Sequence, residues 1–249
     1  MRLTGGLREV FVQHLPYRNT FIQRRFRLFT GGGEVKMSLK ICFSQLLFLI
    51  LHANTRIMCR FSEPNRQKLG NTVLYIAQHA KYPYKTEILK LLFLMEERMV
   101  QQYHVPMLAI PYSVWRLGPV SVDVFEELSD GPVLLSEFIA LEFNGQGIKV
   151  TPKRDFCDDE FSDAELQVMA QVMEKYGSMT SDQLIDETHK PGSLWYDTAK
   201  EHDLLDDFEQ KRANSSNIVI DMARHLCPDH REYYEEILEN RQMANLLRK

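Results

Sequence analysis

The residues most able to do chemistry are few, and the spacing of each set can be held against what its chemistry demands. His225, Cys227 and His230 form an H-x-C-x-x-H run. Imidazole and thiolate suit zinc, but zinc takes four closed ligands, or three and a water. Pro228 interrupts the run and no fourth ligand stands near it in sequence, so no metal is expected. The acidic runs Asp158-Asp159-Glu160 and Asp203 with Asp206-Asp207 lack the alternating oxygens and central glycine of a calcium loop. Solvated surface is the expectation for both. Gly31-Gly32-Gly33 and Gly145-Gln146-Gly147 lack the lysine and the serine or threonine with which a phosphate loop grips phosphate and metal. Flexible turns are expected there.

His189 is the most interesting single histidine, because it follows Thr188 in a loop that leads into Trp195. A side-chain to backbone bond that shapes the loop is the expected role, with general base the alternative. No G-x-S-x-G elbow occurs and no cysteine has a recognisable catalytic context. Trp115 and Trp195 are read as structural, with a binding hot spot as the alternative. Together these readings assign no catalytic residue, no metal and no cofactor. The chain reads as a binding module and not as an enzyme.

The elements that must position these residues follow from hydrophobic spacing. A first helix is expected over 64–80, with Leu69, Val73, Ile76, Ala77 and Ala80 at helical intervals. The clearest helix covers 86–103. Ile88, Leu91, Leu92, Met95, Met99 and Tyr103 make its stripe, and Leu89, Phe93, Leu94 and Val100 add apolar surface beside it. Such a helix is central and buried on most sides. Residues 107–119 read as extended up to Gly118-Pro119, where proline also bars its predecessor from helical geometry. Ser121 can cap a short helix carrying Val122, Phe125 and Leu128. A β-hairpin is expected from Ile139–Phe143 and Ile148–Thr151 around Asn144-Gly145-Gln146-Gly147. Ser162 with Glu165, and Thr180 with Gln183, are capping pairs that open two more helices, the first ending at Gly177. Residues 188–195 read as a loop, 217–226 as a helix broken by Pro228, and 229–247 as a last amphipathic helix. The fold class is mainly α (α+β): a compact helical domain with a small β-hairpin.

The formal charge of −4 conceals an asymmetry. Residues 1–57 hold nine Lys/Arg against two Asp/Glu, a balance of +7, so residues 58–249 carry −11. A body so acidic repels phosphate backbones and attracts basic partners, so direct nucleic-acid binding is not expected. Cys42, Cys59, Cys157 and Cys227 include no C-x-x-C pair, a usage that argues against a disulfide framework and suits a reducing, cytoplasmic setting.

Residues 1–57 differ in texture. They show no steady helical or strand period, and Leu46–Leu51 is too short to span a bilayer, which needs about 20 apolar residues. From Met37, the order of Lys40, apolar run and Ala53 mimics a secretory signal, although the body behind it reads as cytosolic. The expected organisation is therefore a basic extension over 1–57, disordered or arising from a mis-assigned start with Met58 as the native one. A domain over 58–200 follows, then a C-terminal helical region over 201–249.

Four segments, in order, resemble one family. Lys90-Leu91-Leu92-Phe93-Leu94 is similar to its K-L-L-Y-[FL] helix, with Phe93 in the tyrosine position. Trp115-Arg116-Leu117-Gly118-Pro119-Val120 is similar to its aromatic-x-x-G-P-V segment. Phe161-Ser162-Asp163-Ala164-Glu165-Leu166 resembles its F-S-x-x-E-L helix start, and Thr188-His189 through Trp195 resembles its T-H-x-x-x-x-P-W loop, with Leu194 in place of proline. The family is the Panacea, or SocA-type antitoxin, domain, which includes phage-associated GepA-like proteins, and the resemblance spans about residues 66–200.

The resemblance implies a bacterial cytoplasmic antitoxin that neutralises a cognate protein toxin by direct binding. Delivery of a partner to a cellular protease is the alternative, and an enzyme using the His189 loop ranks below it. It also marks Lys90, Leu91, Trp115, Gly118, Pro119, Thr188, His189 and Trp195 as family-motif residues with structural or partner-binding roles. Residues 201–249 are candidates for partner specificity, since Tyr233, Tyr234 and Leu246-Leu247 could lie in a partner's groove or pack onto the domain.

Overall fold

The computed structural model describes residues 21–30, 33–42 and 63–247. The chain divides into two compact units, Met1–Ile57 and Met58–Lys249. In the first, β1 (Phe21–Thr30) and β2 (Gly33–Cys42) pair antiparallel, with Phe21 opposite Cys42 and Thr30 opposite Gly33. The sequence pattern did not place this hairpin. The apolar run Leu46–Leu51 and the start-site reading at Met58 lie outside the described residues.

The second unit is mainly α. Its first helix, α1 (Glu63–His79), packs on α2 (Lys85–Tyr103), which is the axis of the unit. The wide apolar surface of α2 has the expected consequence: Ile88 through Met95, Met99 and Val100 are all buried. Burying a side chain of this size stabilises by roughly 1.5–3 kcal/mol, so α2 holds the largest single share of the core. α1 approaches the core closely at Gly70, where a Cβ would lie 2.5 Å from the Phe138 ring. α2 ends at His104, whose left-handed φ of 59° closes an N–H to Val100 carbonyl bond.

Residues 113–120 form a tight antiparallel hairpin, β3 (Ser113–Trp115) and β4 (Gly118–Val120), with Trp115 opposite Gly118. The short helix α3 (Val122–Glu127) follows, then β5 (Ile139–Asn144) and β6 (Gly147–Pro152), joined at Asn144–Gly147 as the turn residues require. Both capping pairs act as such. Ser162 and Glu165 close a reciprocal capping box at α4 (Asp163–Tyr176), and Thr180 and Gln183 do the same at α5 (Ser181–Thr188). α4 stops at Gly177.

Three elements depart from the sequence reading. Ser193 caps a helix, α6 (Leu194–Glu201), inside and beyond the segment expected to be a loop, and α7 (Leu204–Glu209) follows. The helix expected over 217–226 does not form. Ile218-Val219-Ile220 is instead extended, with Val114 N–H on Ile218 O at 2.9 Å and Ile220 N–H on Tyr112 O at 2.8 Å. A β-branched run prefers the extended backbone, and the free edge of β3 supplies the partners that a short isolated helix would lack. The last helix, α8 (Pro228–Leu247), forms as expected. The side chains of Leu246 and Leu247 lie outside the described ones.

Candidate functional site

The motif residues converge on one turn. Lys90, on the core side of α2, is 1% exposed. Its Nζ donates to the carbonyl of Pro119 at 3.1 Å. An ammonium has three donors, and burial pushes this one down to about 7. Leu91 beside it is core. Gly118 has a φ of +106°, a geometry that side chains rarely adopt, and a Cβ there would sit 2.8 Å from Lys90 Cε and 2.9 Å from Thr188 Oγ1. The β3–β4 turn therefore touches α2 and the end of α5 by backbone alone, which only glycine permits.

Two further side chains reach the same turn from the other side. Trp195 Nε1 donates to the carbonyl of Trp115 at 2.9 Å. His189 Nε2 lies 3.1 Å from the carbonyl of Arg116, while its Nδ1 lies 2.6 Å from the carbonyl of Ile185. Both ring nitrogens face carbonyl oxygens, so a neutral ring can satisfy only one of them as donor. Burial lowers the His189 pKa, against the pull of the two carbonyls and with Lys90 adding to the lowering. The His189 and Trp195 rings lie 3.7 Å apart between centroids, and Trp115 meets Phe125 edge to face at 4.8 Å. Thr188 is buried and donates to the Ile185 carbonyl at 3.0 Å, and its own carbonyl accepts from Ser193 Oγ at 2.6 Å.

The arrangement is a clamp. Lys90 from α2 and Trp195 from the start of α6 donate to the Pro119 and Trp115 carbonyls of one hairpin, and the His189 ring at the end of α5 lies against a third, that of Arg116. What the clamp presents outward is the turn itself: Leu117 is 48% exposed, and Arg116 Nε donates to Asn214 Oδ1 at 2.8 Å. A nucleophile and its base need hydrogen-bond contact with a reacting atom. In this clamp the donors are instead spent on backbone carbonyls.

Beside the clamp a cleft of about 370 Å³ opens between α2, α4 and the α5–α6 connection. Glu97, Arg98, Lys175, Glu187 and Lys190 line it, two carboxyls among three cations. Burial pushes Glu97 up to about 7, against a bond from the Leu194 N–H and with Glu187 adding to the rise. Glu187 moves the other way, held below the usual carboxylate range first by its Lys190 partner. A lining of mixed sign selects no single ligand chemistry.

Sequence reasoning missed the buried carboxylates. Glu96 accepts from the N–H groups of Met107, Leu108 and Ala109 at 3.1, 2.7 and 3.3 Å. It thereby folds the loop that leads to β3. Glu127 does the same for Val133 and Leu135 at 2.9 and 3.0 Å. The available signal was a charge inside the apolar surface of a helix, which must find partners once buried. The H-x-C-x-x-H residues are engaged elsewhere. His225 Nε2 lies 3.1 Å from Asp197 Oδ2, His230 stacks on His104 at 3.6 Å, and Cys227 is exposed. Among the described residues no cluster could hold a metal ion, and no helix is long and apolar enough to cross a membrane.

Fold and clamp together define a mainly α domain in which Lys90, His189 and Trp195 hold one hairpin against a central helix. Residues 88–196 match the family model described as Antitoxin SocA-like, Panacea domain. The match bears out the resemblance carried by the four segments and includes α2 from Ile88 onward, the clamp and the cleft, while α1 and α8 lie outside it. No curated protein and no solved structure matches the chain.

Proposed function

We propose that the protein is an antitoxin that neutralises a cognate protein toxin by stoichiometric binding in the cytoplasm, with no bond-making of its own. The observation that carries this reading is the family match over residues 88–196, whose description names an antitoxin. The clamp supports it, because Lys90 and Trp195 spend donors on the backbone of the β3–β4 hairpin and both nitrogens of His189 face backbone carbonyls. The charge supports it as well. A body carrying −11 over residues 58–249 repels phosphate and draws a basic protein.

Co-expression with the product of the adjacent gene tests the reading. Growth is rescued by the full chain, by His189→Ala, and in a host lacking its cytoplasmic proteases. Rescue lost in a folded His189→Ala protein that still binds the toxin would indicate catalysis by the His189 loop. Rescue lost only in the protease-deficient host would indicate an adaptor that delivers the partner for degradation.

A further inference from the structure

We infer that the outward face of α8 is the strip with which the protein holds its partner, and that the partner's complementary surface is a protein groove with basic side chains around an apolar floor. The inference rests on the proposed binding function and assigns it a place outside the matched domain.

α8 runs over Pro228–Leu247, and at 1.5 Å per residue it is about 30 Å long. Its inward line is Tyr234, Ile237, Leu238 and Arg241, at i, i+3, i+4 and i+7. Tyr234 is buried and the other three are half-buried. That spacing is the one by which a helix rests on a body along a single stripe. Arg241 Nη1 completes the contact with the Met107 carbonyl at 3.1 Å.

The opposite side is differently made. Asp229, Glu232, Tyr233, Glu236, Glu239 and Met243 lie there and are all exposed, Tyr233 by 50% and Met243 by 58%. The helix has two arginines and neither serves this side. Arg231 is bound to Asp221 and Glu235, both at 2.8 Å, and Arg241 turns to Met107. Among the described residues none of the four carboxylates has a cationic partner. The outward strip therefore combines one sign of charge with two large apolar side chains, over four turns of helix.

This composition selects the occupant. Four carboxylates exclude a nucleic-acid backbone and an anionic lipid surface by like-charge repulsion. They also disfavour a second copy of the chain, because a two-fold contact would lay the same acidic strip against itself. A basic protein groove satisfies the charges, and its apolar floor takes Tyr233 and Met243, the laying of an amphipathic helix into a groove.

The test uses the full chain and the protein encoded by the adjacent gene, with binding measured by titration calorimetry and self-association by sedimentation. Two variants are compared with the wild type: Glu232→Lys with Glu236→Lys and Glu239→Lys, and Tyr233→Ala with Met243→Ala. The positions are exposed, so circular dichroism and thermal midpoints stay near those of the wild type. The expected result is binding weakened by about tenfold or more in each variant, with growth rescue lost in parallel. Wild-type affinity in both folded variants overturns the inference and leaves the antitoxin reading standing. Variants that lose self-association while keeping the partner overturn it in favour of a second copy. A wild-type chain that neither binds nor rescues removes the antitoxin reading itself, and the inference with it.

Discussion

Replacing Lys90 by methionine keeps the length of the side chain and removes its proton. In the folded chain burial brings the amine from 10.5 to about 7; in the unfolded chain it titrates near its ordinary value. At about 1.4 kcal/mol for each pH unit, that displacement corresponds to about 5 kcal/mol of proton linkage. Above the unfolded pKa the amine is neutral in both states and contributes no pH dependence. As pH falls from there towards 7, the unfolded chain takes up a proton that the folded chain does not, and each unit costs about 1.4 kcal/mol of stability. Below about 7 both states hold the proton and the penalty is constant. Urea unfolding of wild type and Lys90→Met, measured from pH 7.5 to 9.5, tests this. The wild type gains about 3 kcal/mol on the variant across that interval. The unpaired Pro119 carbonyl of the variant adds an offset that does not depend on pH. Parallel stability curves would show that the ammonium is not desolvated between α2 and the β3–β4 turn, and the clamp as described would be wrong.

Three other substitutions probe the same architecture. Gly118→Ala must hold a side chain at a φ of +106° with its Cβ 2.8 Å from Lys90 Cε, and it destabilises by about 2–5 kcal/mol in urea unfolding; a change below about 0.5 kcal/mol would contradict the close approach. Glu96→Ala strands the three N–H groups at residues 107–109, costs about 3 kcal/mol or more, and speeds amide exchange at those positions first. Unchanged exchange there would count against the carboxylate as the fold-setting acceptor. Trp195→Phe retains the ring and loses donation to the Trp115 carbonyl, a loss of about 1–2 kcal/mol by thermal or chemical unfolding.

The helices that were legible in the sequence carried either a wide apolar stripe or a capping pair. α2 announced itself by ten apolar positions in one stretch, and α4 and α5 by Ser162–Glu165 and Thr180–Gln183. The failures have a common cause in tertiary partners. Ile218-Val219-Ile220 reads equally as helix or strand until the exposed edge of β3 is known. α6 and α7 span eight and six residues, too short for periodicity to outweigh the loop signals of Pro191-Gly192. At the site, Lys90, Trp115, Gly118, Thr188, His189 and Trp195 were visible as types in an ordered pattern. Their convergence was not, because it joins residues 29 to 80 positions apart. Glu96 and Glu127 stood in the pattern as charges on apolar helices, but their partners did not, since such a carboxylate looks the same whether it meets water or backbone N–H groups.

The central claim is that the protein acts by occupying its partner. Purified chain titrated into a fixed amount of the active adjacent-gene product measures that directly. The account predicts inhibition that rises linearly and saturates at a fixed molar ratio, unchanged by longer incubation and unchanged in His189→Ala. Full inhibition by far less than one equivalent, deepening with time, would contradict it.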